Sequence, residues 1–386
     1  MLAIDQLRQP GAATHEAIEA FLRDHEFPIV EGRQVTFVFR GEASNVFLQH
    51  WIRALPQQQA FQRLPGTDLW FLTLQVPRNS RIEYKLGIEQ GSAFGMHGHG
   101  QRVQLVRDAL NPHQALDPFG ANSVVHSEGY QVPDWTLPDP DARCGEVREH
   151  RLASRAFGDV RKVQVYLPAR YRPSRRYGLL VVHDGEDFLR FAALQTVLDN
   201  LIHRLEIPPV VCALTTSPNR MVEYPNNEQH ARFIVEDLLP VMEEQYSLVE
   251  DPGARGLVGS SFGAIASLST AWRYPGVFGR LCLMSGSFLF TDIGDHEGGP
   301  AFDPVVEFMN AFRKAPGVPS RQLFLSCGVY EPMIYYNRSM VPLFQSTGMR
   351  VRFVEARDGH NWENWRDRLR EGLSWLFPGP LWMVYE

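Results

Sequence analysis

An apolar run, Gly256-Leu257-Val258, passes directly into Gly259-Ser260-Ser261-Phe262-Gly263 and then into the helix-like Ala264-Ile265-Ala266-Ser267-Leu268. A strand that becomes a helix within so few residues leaves the chain one kind of turn, a strained bend permitted by small residues two positions either side of its tip. Ser261 stands at that tip, with its hydroxyl clear of the sheet. Strand-to-helix steps of this kind build layered α/β domains, and a serine so placed is a nucleophile elbow.

The surrounding sequence agrees. Beyond about Val147, strand-like runs (Val163-Gln164-Val165-Tyr166-Leu167, Leu179-Leu180-Val181-Val182, Val210-Val211-Cys212-Ala213-Leu214, Leu281-Cys282-Leu283-Met284, Leu323-Phe324-Leu325-Ser326, Val351-Arg352-Phe353-Val354) alternate with helical segments. The helices are expected at about 189–205, 228–246, after the elbow to Arg273, and 362–375. Unbroken apolar strands mark burial on both faces, so the expected fold is a mainly parallel sheet covered by helices, with the reactive site at the carboxyl ends of the strands. The first hundred residues differ. An amphipathic segment near Thr14–Asp24 precedes period-two runs at Val35–Phe39, Val46–Leu48, Trp70–Leu74 and Ile82–Ile88, the pattern of a small antiparallel sandwich. The boundaries expected are 1–110 for an all-β domain with a short N-terminal helix, 111–146 for a Pro/Asp-rich linker, and 147–386 for the α/β domain.

The 386 residues are 44% hydrophobic with a formal net charge of −6, which describes a soluble protein and argues against nucleic acid or an anionic membrane as partner. No basic start followed by an apolar core opens the chain, and no apolar run approaches a membrane span. Cys212, Cys282 and Cys327 lie in apolar strands and Cys144 in a polar stretch, the usage of a reducing, cytoplasmic setting.

A serine hydroxyl needs a histidine to take its proton and an acid to orient the imidazole. In an α/β domain built this way both must follow the serine, acid first, on loops after later strands. Glu331, just past Leu323–Ser326, is the expected acid, and His360, after Val351–Val354, the expected base. Asp358 is read as a turn former; Glu355 and Asp292 are further alternatives for the acid. Oxyanion donors are expected from the backbone N–H of Phe262 and, after the strand ending in Val182-His183-Asp184-Gly185, from that of Glu186. Neither His183-Asp184 nor His97-Gly98-His99-Gly100 offers the three or four ligands of a zinc site, so no metal and no cofactor are expected. Thr291–Asp303, rich in glycine, is a mobile-loop candidate bordering the site.

With these residues in place the chain resembles the putative-esterase family of α/β-hydrolases, which includes enterochelin esterases, feruloyl and acetyl-xylan esterases, esterase D and mycolyltransferases. The resemblance runs from about Val147 to Phe377 and rests on His183-Asp184-Gly185, Arg220-Met221-Val222-Glu223-Tyr224, the elbow, Met284-Ser285-Gly286-Ser287-Phe288, Gly328-Val329-Tyr330-Glu331 with Asn337, and Gly359-His360-Asn361-Trp362-Glu363-Asn364-Trp365. It implies acyl transfer in two steps on a small-molecule ester, with Ser261, His360 and Glu331 as a triad. An all-β module joined through Leu110-Asn111-Pro112-His113 is most like the enterochelin esterase arrangement, the module itself resembling immunoglobulin-like early-set domains. Arg220, Glu223, Tyr224 and Trp362 are placed at the substrate cleft, with a structural loop and core packing as competing readings. Ala264 departs from a second glycine usual in the family. Alternative functions are a carbohydrate (feruloyl or acetyl) or general carboxylesterase, and, from another class, a glycan- or protein-binding module on a hydrolase scaffold.

Overall fold

The computed structural model describes residues 1–90 and 102–380. They divide into two compact units, one of residues 1–132 with 329–331 and 357–359, the other of the remainder.

In the first unit a helix α1 (His15–Asp24), capped by the Thr14 hydroxyl accepting from the Ala17 N–H, is followed, among the described residues, by ten strands. These are β1 (Ile29–Glu31), β2 (Gln34–Arg40), β3 (Asn45–His50), β4 (Gln58–Ala60), β5 (Gln62–Arg63), β6 (Leu69–Gln75), β7 (Arg81–Gln90), β8 (Arg102–Val106), β9 (Gln114–Asp117) and β10 (Gly120–His126). They form one antiparallel sheet in the order β1-β2-β6-β5 and another in the order β4-β3-β7-β10-β9, with β8 also on β7. The period-two pattern explains the layering. Val35 and Phe37 of β2 point into a core shared with Val46, Leu48, Tyr84 and Leu86 of the second sheet. Val38, one step out of phase, faces the opposite way with Leu69 and Phe71, against Ile4, Leu7, Ile18 and Phe21.

The segment read as a linker holds strands β9 and β10, and β10 pairs with β7 in the register Ser123↔Tyr84. Asp117 and Pro118 lie at the hairpin turn, where Asp117 Oδ1 accepts from the Phe119 N–H (2.7 Å), so this part of the segment is a paired hairpin rather than a tether. Asn111 is a buried hub: its side-chain amide donates to Tyr84 Oη (2.9 Å) and Val124 O (2.8 Å), and Tyr84 Oη donates to Asp108 Oδ2 (2.6 Å). Tyr84→Phe would leave both partners short of a bond inside the core. A loss of about 1–3 kcal/mol in urea unfolding is expected.

The second unit carries an eight-stranded sheet of β11 (Glu146–Ser154), β12 (Asp159–Leu167), β13 (Gly178–Val182), β14 (Val210–Thr215), β15 (Arg255–Ser260), β16 (Arg280–Met284), β17 (Gln322–Gly328) and β18 (Arg350–Ala356), in the order β11-β12-β14-β13-β15-β16-β17-β18. The β11-β12 and β12-β14 pairs are antiparallel and the rest parallel, so the sheet is mixed. Among the described residues nine α-helices flank it: α2 (Gly185–Phe191), α3 (Leu194–His203), α4 (Arg220–Glu223), α5 (Glu228–Arg232), α6 (Leu239–Gln245), α7 (Phe262–Arg273), α8 (Asp303–Lys314), α9 (Ile334–Ser346) and α10 (Trp362–Leu376). Successive strand residues serve opposite faces. Val181, Leu257, Leu283 and Leu325 meet Ile265, Phe308 and Phe344, while Val182, Val258, Cys282 and Phe324 meet Phe188, Leu198 and Leu369.

Two expected helices are each divided. The 189–205 segment breaks where Ala193 turns left-handed (φ 46°), giving α2 and α3. In 228–246 a π-turn, Phe233–Leu238, precedes Pro240, which has no N–H to continue the ladder.

Candidate active site

Ser261 follows β15 and precedes α7 with φ 55° and ψ −120°, a backbone conformation that side chains rarely adopt. Two glycines make the bend possible. A Cβ on Gly259 would stand 2.1 Å from the Gly263 carbonyl oxygen, and one on Gly263 would stand 3.2 Å from His183 Cβ. The bend is held by the Ser261 N–H donating to Met284 O (3.0 Å) and the Ala264 N–H donating to Ser261 O (3.1 Å). Ala264, where the family resemblance calls for glycine, is fully buried and fits.

The hydroxyl of Ser261 lies 3.2 Å from that of Ser287, whose own N–H donates to Ser261 O (3.3 Å). Sequence reasoning gave Ser287 no role, although its signal was present in Ser285-Gly286-Ser287 directly after β16. That loop is anchored from behind: Asn337 Nδ2 donates to Gly286 O (2.8 Å) and Trp365 Nε1 to Ser285 Oγ (2.9 Å).

The loop after β13 is equally constrained. Asp184 is left-handed (φ 54°), and a Cβ on Gly185 would meet Leu214 Cβ at 2.5 Å. Phe262 and Glu186 both sit in the first turn of a helix, α7 and α2, where backbone N–H groups have no intrahelical acceptor. The Glu186 side chain extends outward, 3.6 Å from Lys162 Nζ.

Arg220 Nε donates to both Asp184 carboxylate oxygens (3.0 and 2.9 Å), and the Asp184 N–H donates to Tyr224 Oη (3.2 Å). Burial raises the Asp184 carboxyl above its ordinary value, with Arg220 opposing. Glu223 accepts from Arg161 Nη1 (2.6 Å) and Ser217 Oγ (2.7 Å). Glu223 and Tyr224 are buried, so they brace the loop rather than form an open cleft wall; of the three, Arg220 is the one with a partly exposed side chain. Trp362 packs edge-on to Phe188 (5.3 Å) and Trp365 (4.8 Å), which is core packing.

Arg220→Met would strand a buried carboxylate. Because a raised carboxyl costs the folded state most when it must ionise, that loss grows as pH rises through and above the ordinary carboxylate range. Urea melts should show about 1–3 kcal/mol lost at pH 7 and less at pH 5.

Glu331 follows the end of β17 and is buried; His360 follows the end of β18, exposed, its ring edge-on to Trp365 at 5.2 Å. Since β15 to β18 are parallel neighbours, Ser261, Glu331 and His360 all leave the carboxyl ends of their strands. The alternative acids each have charged or backbone partners of their own. Asp358 Oδ1 accepts from Arg81 Nη1 (3.3 Å) and the Gly359 N–H (2.7 Å), Glu355 pairs with Arg338 (2.6 and 2.7 Å), and Asp292 with Arg313 (2.8 Å). The 291–303 segment does border the elbow: Phe302 lies edge-on to Phe262 at 5.1 Å. Among the described residues no group of three or more His, Cys, Asp or Glu is placed to hold a metal; the His97–Gly100 motif lies outside them.

A mixed sheet with helices on both faces and a serine on a strained turn after its central strand define an α/β-hydrolase. A family model described as "Putative esterase" matches residues 154–376, and one described as "Enterochelin esterase, N-terminal" matches 34–144. The chain belongs to this esterase family of ester hydrolases. It is 25% identical over 339 residues to an iron(III) enterobactin esterase of Escherichia coli K12, covering 82% of this chain and 81% of the relative. In fold it is similar to a ferric enterobactin esterase from Salmonella typhimurium (TM-score 0.75, 22% identity, 93% of this chain and 98% of the other). It is also similar to a ferulic acid esterase (TM-score 0.52, 18% identity, 61% of this chain and 98% of the other). Among the described residues no helix is long and apolar enough to cross a membrane.

Proposed function

We propose that this protein is a serine esterase of the enterochelin esterase type, hydrolysing the ester bonds of a catecholate siderophore lactone in the cytoplasm. The observation that carries the reading is Ser261 on its strained turn, with the N–H of Phe262 in the first turn of α7 behind it. In this reading Ser261 Oγ attacks the ester carbonyl as His360 takes its proton, and Glu331 holds the imidazole. The N–H groups of Phe262 and Glu186 receive the oxyanion. His360 then protonates the leaving alkoxide to give an acyl-enzyme, and afterwards activates water to release the acid. Each oxyanion donor contributes about 10²–10³ in rate. The match to the enterochelin esterase N-terminal model and the enterobactin esterase relatives support this choice of substrate class. The all-β unit is read as an immunoglobulin-like, early-set module. The free cysteines, three of them buried, support a reducing compartment.

The competing reading, a feruloyl or general carboxylesterase, has the ferulic acid esterase fold in its favour. Purified protein should release catechol acids from a ferric trilactone faster than it cleaves feruloyl or short acyl esters; the reverse order would replace the substrate. A fluorophosphonate probe should label wild type and leave Ser261→Ala unlabelled. Equal labelling of the two proteins would remove Ser261 from the mechanism, and no labelling of wild type would favour a binding module.

A further inference from the structure

Behind the elbow two buried imidazoles face each other, and the catalytic steps above use neither. His183 Nε2 and His230 Nε2 lie 3.0 Å apart, with His183 on the loop after β13 and His230 on α5. Their partners fix where the protons sit. The Ser267 hydroxyl donates to Gly263 O (2.8 Å), so toward His183 Nδ1 (3.0 Å) Ser267 Oγ can only accept; Val258 O, 3.3 Å from the same nitrogen, accepts as well. His183 therefore carries its proton on Nδ1 and presents a bare Nε2. The hydrogen between the rings must then come from His230, as Nε2–H.

That assignment accounts for another feature. It leaves His230 Nδ1 without a proton, and this buried nitrogen has no hydrogen-bond partner, while Glu223 Oε2 stands 4.0 Å away. Glu223 does not draw a proton onto the ring because Arg161 and Ser217 already hold it. Burial, with His183 and Arg161 adding to it, keeps His230 neutral. The charged groups around the pair are Arg161, Glu223, Asp184 and Arg220, joined as the ion pairs Arg161–Glu223 and Arg220–Asp184.

We infer that His230 is a positioning residue for the elbow: its Nε2–H sets the tautomer of His183, whose Nδ1–H engages Ser267 and so fixes the Gly263 carbonyl two residues beyond Ser261. The chain of contacts runs from α5 through His183, on the loop that leads into α2 and Glu186, to the first turn of α7, which carries the Phe262 N–H. It ties both candidate oxyanion donors to one hydrogen bond. The inference rests on the proposed role of Ser261.

His230→Phe removes the donor, His230→Gln restores a side-chain N–H at the place of Nε2, and His230→Asn offers one too near the backbone. With folding checked by thermal melting, His230→Phe and His230→Asn should lower kcat between about ten- and a hundredfold with KM little changed, and His230→Gln should recover most of it. A merely structural role predicts instead that activity tracks stability, with no separate rescue by glutamine, and that result overturns the inference. Nitrogen NMR of ¹⁵N-histidine-labelled wild type provides a check that needs no variant to fold. The slowly exchanging buried pair should comprise one Nδ1–H and one Nε2–H ring; two Nε2–H rings would overturn the assignment. Labelling of Ser261→Ala would sink the nucleophile reading and leave the tautomer result standing, so the two failures are separable.

Discussion

His360→Ala is expected to lower kcat by about 10⁶ with KM within a few-fold, and Glu331→Gln by about 10⁴, the scale on which bases and orienting acids act in serine hydrolases. Each residue follows a strand parallel to β15, so each loop opens at the carboxyl end that carries Ser261. The acid assignment is the sharper test, because three other carboxylates compete for it. Glu355→Gln and Asp292→Asn each break an ion pair, with Arg338 and Arg313 respectively, and should leave kcat within a few-fold. Asp358→Asn disturbs the pairing with the fully buried Arg81, so it should lower the unfolding midpoint while turnover per folded molecule holds. Initial rates on one ester, normalised to folded protein, check all four. A loss at Asp358 matching that at Glu331 would move the acid.

The sequence foreshadowed this site unevenly, and the reasons are physical. The elbow was legible because its requirements are local: Gly259 and Gly263 sit where a Cβ meets backbone or a neighbouring loop, and unbroken apolar runs on either side mark a buried strand and helix. Glu331 and His360 were legible as positions after strands, since chain order at a parallel sheet is a property of topology. The hairpin β9-β10 was hidden because its short strands lie among prolines and aspartates, and what buries Asn111 is a partner, Tyr84, on β7. The α8 and α9 helices, absent from the reading of the sequence, lie in stretches read only for their loops and motifs. The His183–His230 pair joins residues 47 apart in sequence; no period in the chain relates them, and His183 next to Asp184 drew attention as metal chemistry instead. Glu223 and Tyr224 belong to the same case. Polar residues in a family motif read as substrate contacts, whereas here they hold Asp184 and Arg161 in the interior.

Gly259→Ala should be the most damaging single methyl in this chain's site, and comparison with Gly263→Ala shows why. At 259 the added Cβ would lie 2.1 Å from Gly263 O, 2.3 Å from Gly263 C and 2.8 Å from Ala264 N. All three are backbone atoms of the turn that Ser261 tops, so no rotamer change relieves the overlap; either β15 or the first turn of α7 must move. Movement of β15 is resisted on both sides, by β13 and by β16, in parallel register. Movement of α7 displaces the Phe262 N–H from the oxyanion position. At 263 the nearest atoms are His183 Cβ at 3.2 Å and Asp184 Oδ2 at 3.3 Å, a side-chain crowding that a few tenths of an ångström relieve. Overpacking costs typically about 1–3 kcal/mol, so Gly263→Ala is expected near 1 kcal/mol and Gly259→Ala at or beyond the upper end. Urea unfolding followed by tryptophan fluorescence reads the stability, and the initial rate of ester hydrolysis per folded molecule reads the turn. A Gly259→Ala protein with wild-type stability and turnover would mean that the strained turn at Ser261 is not the one this sequence requires.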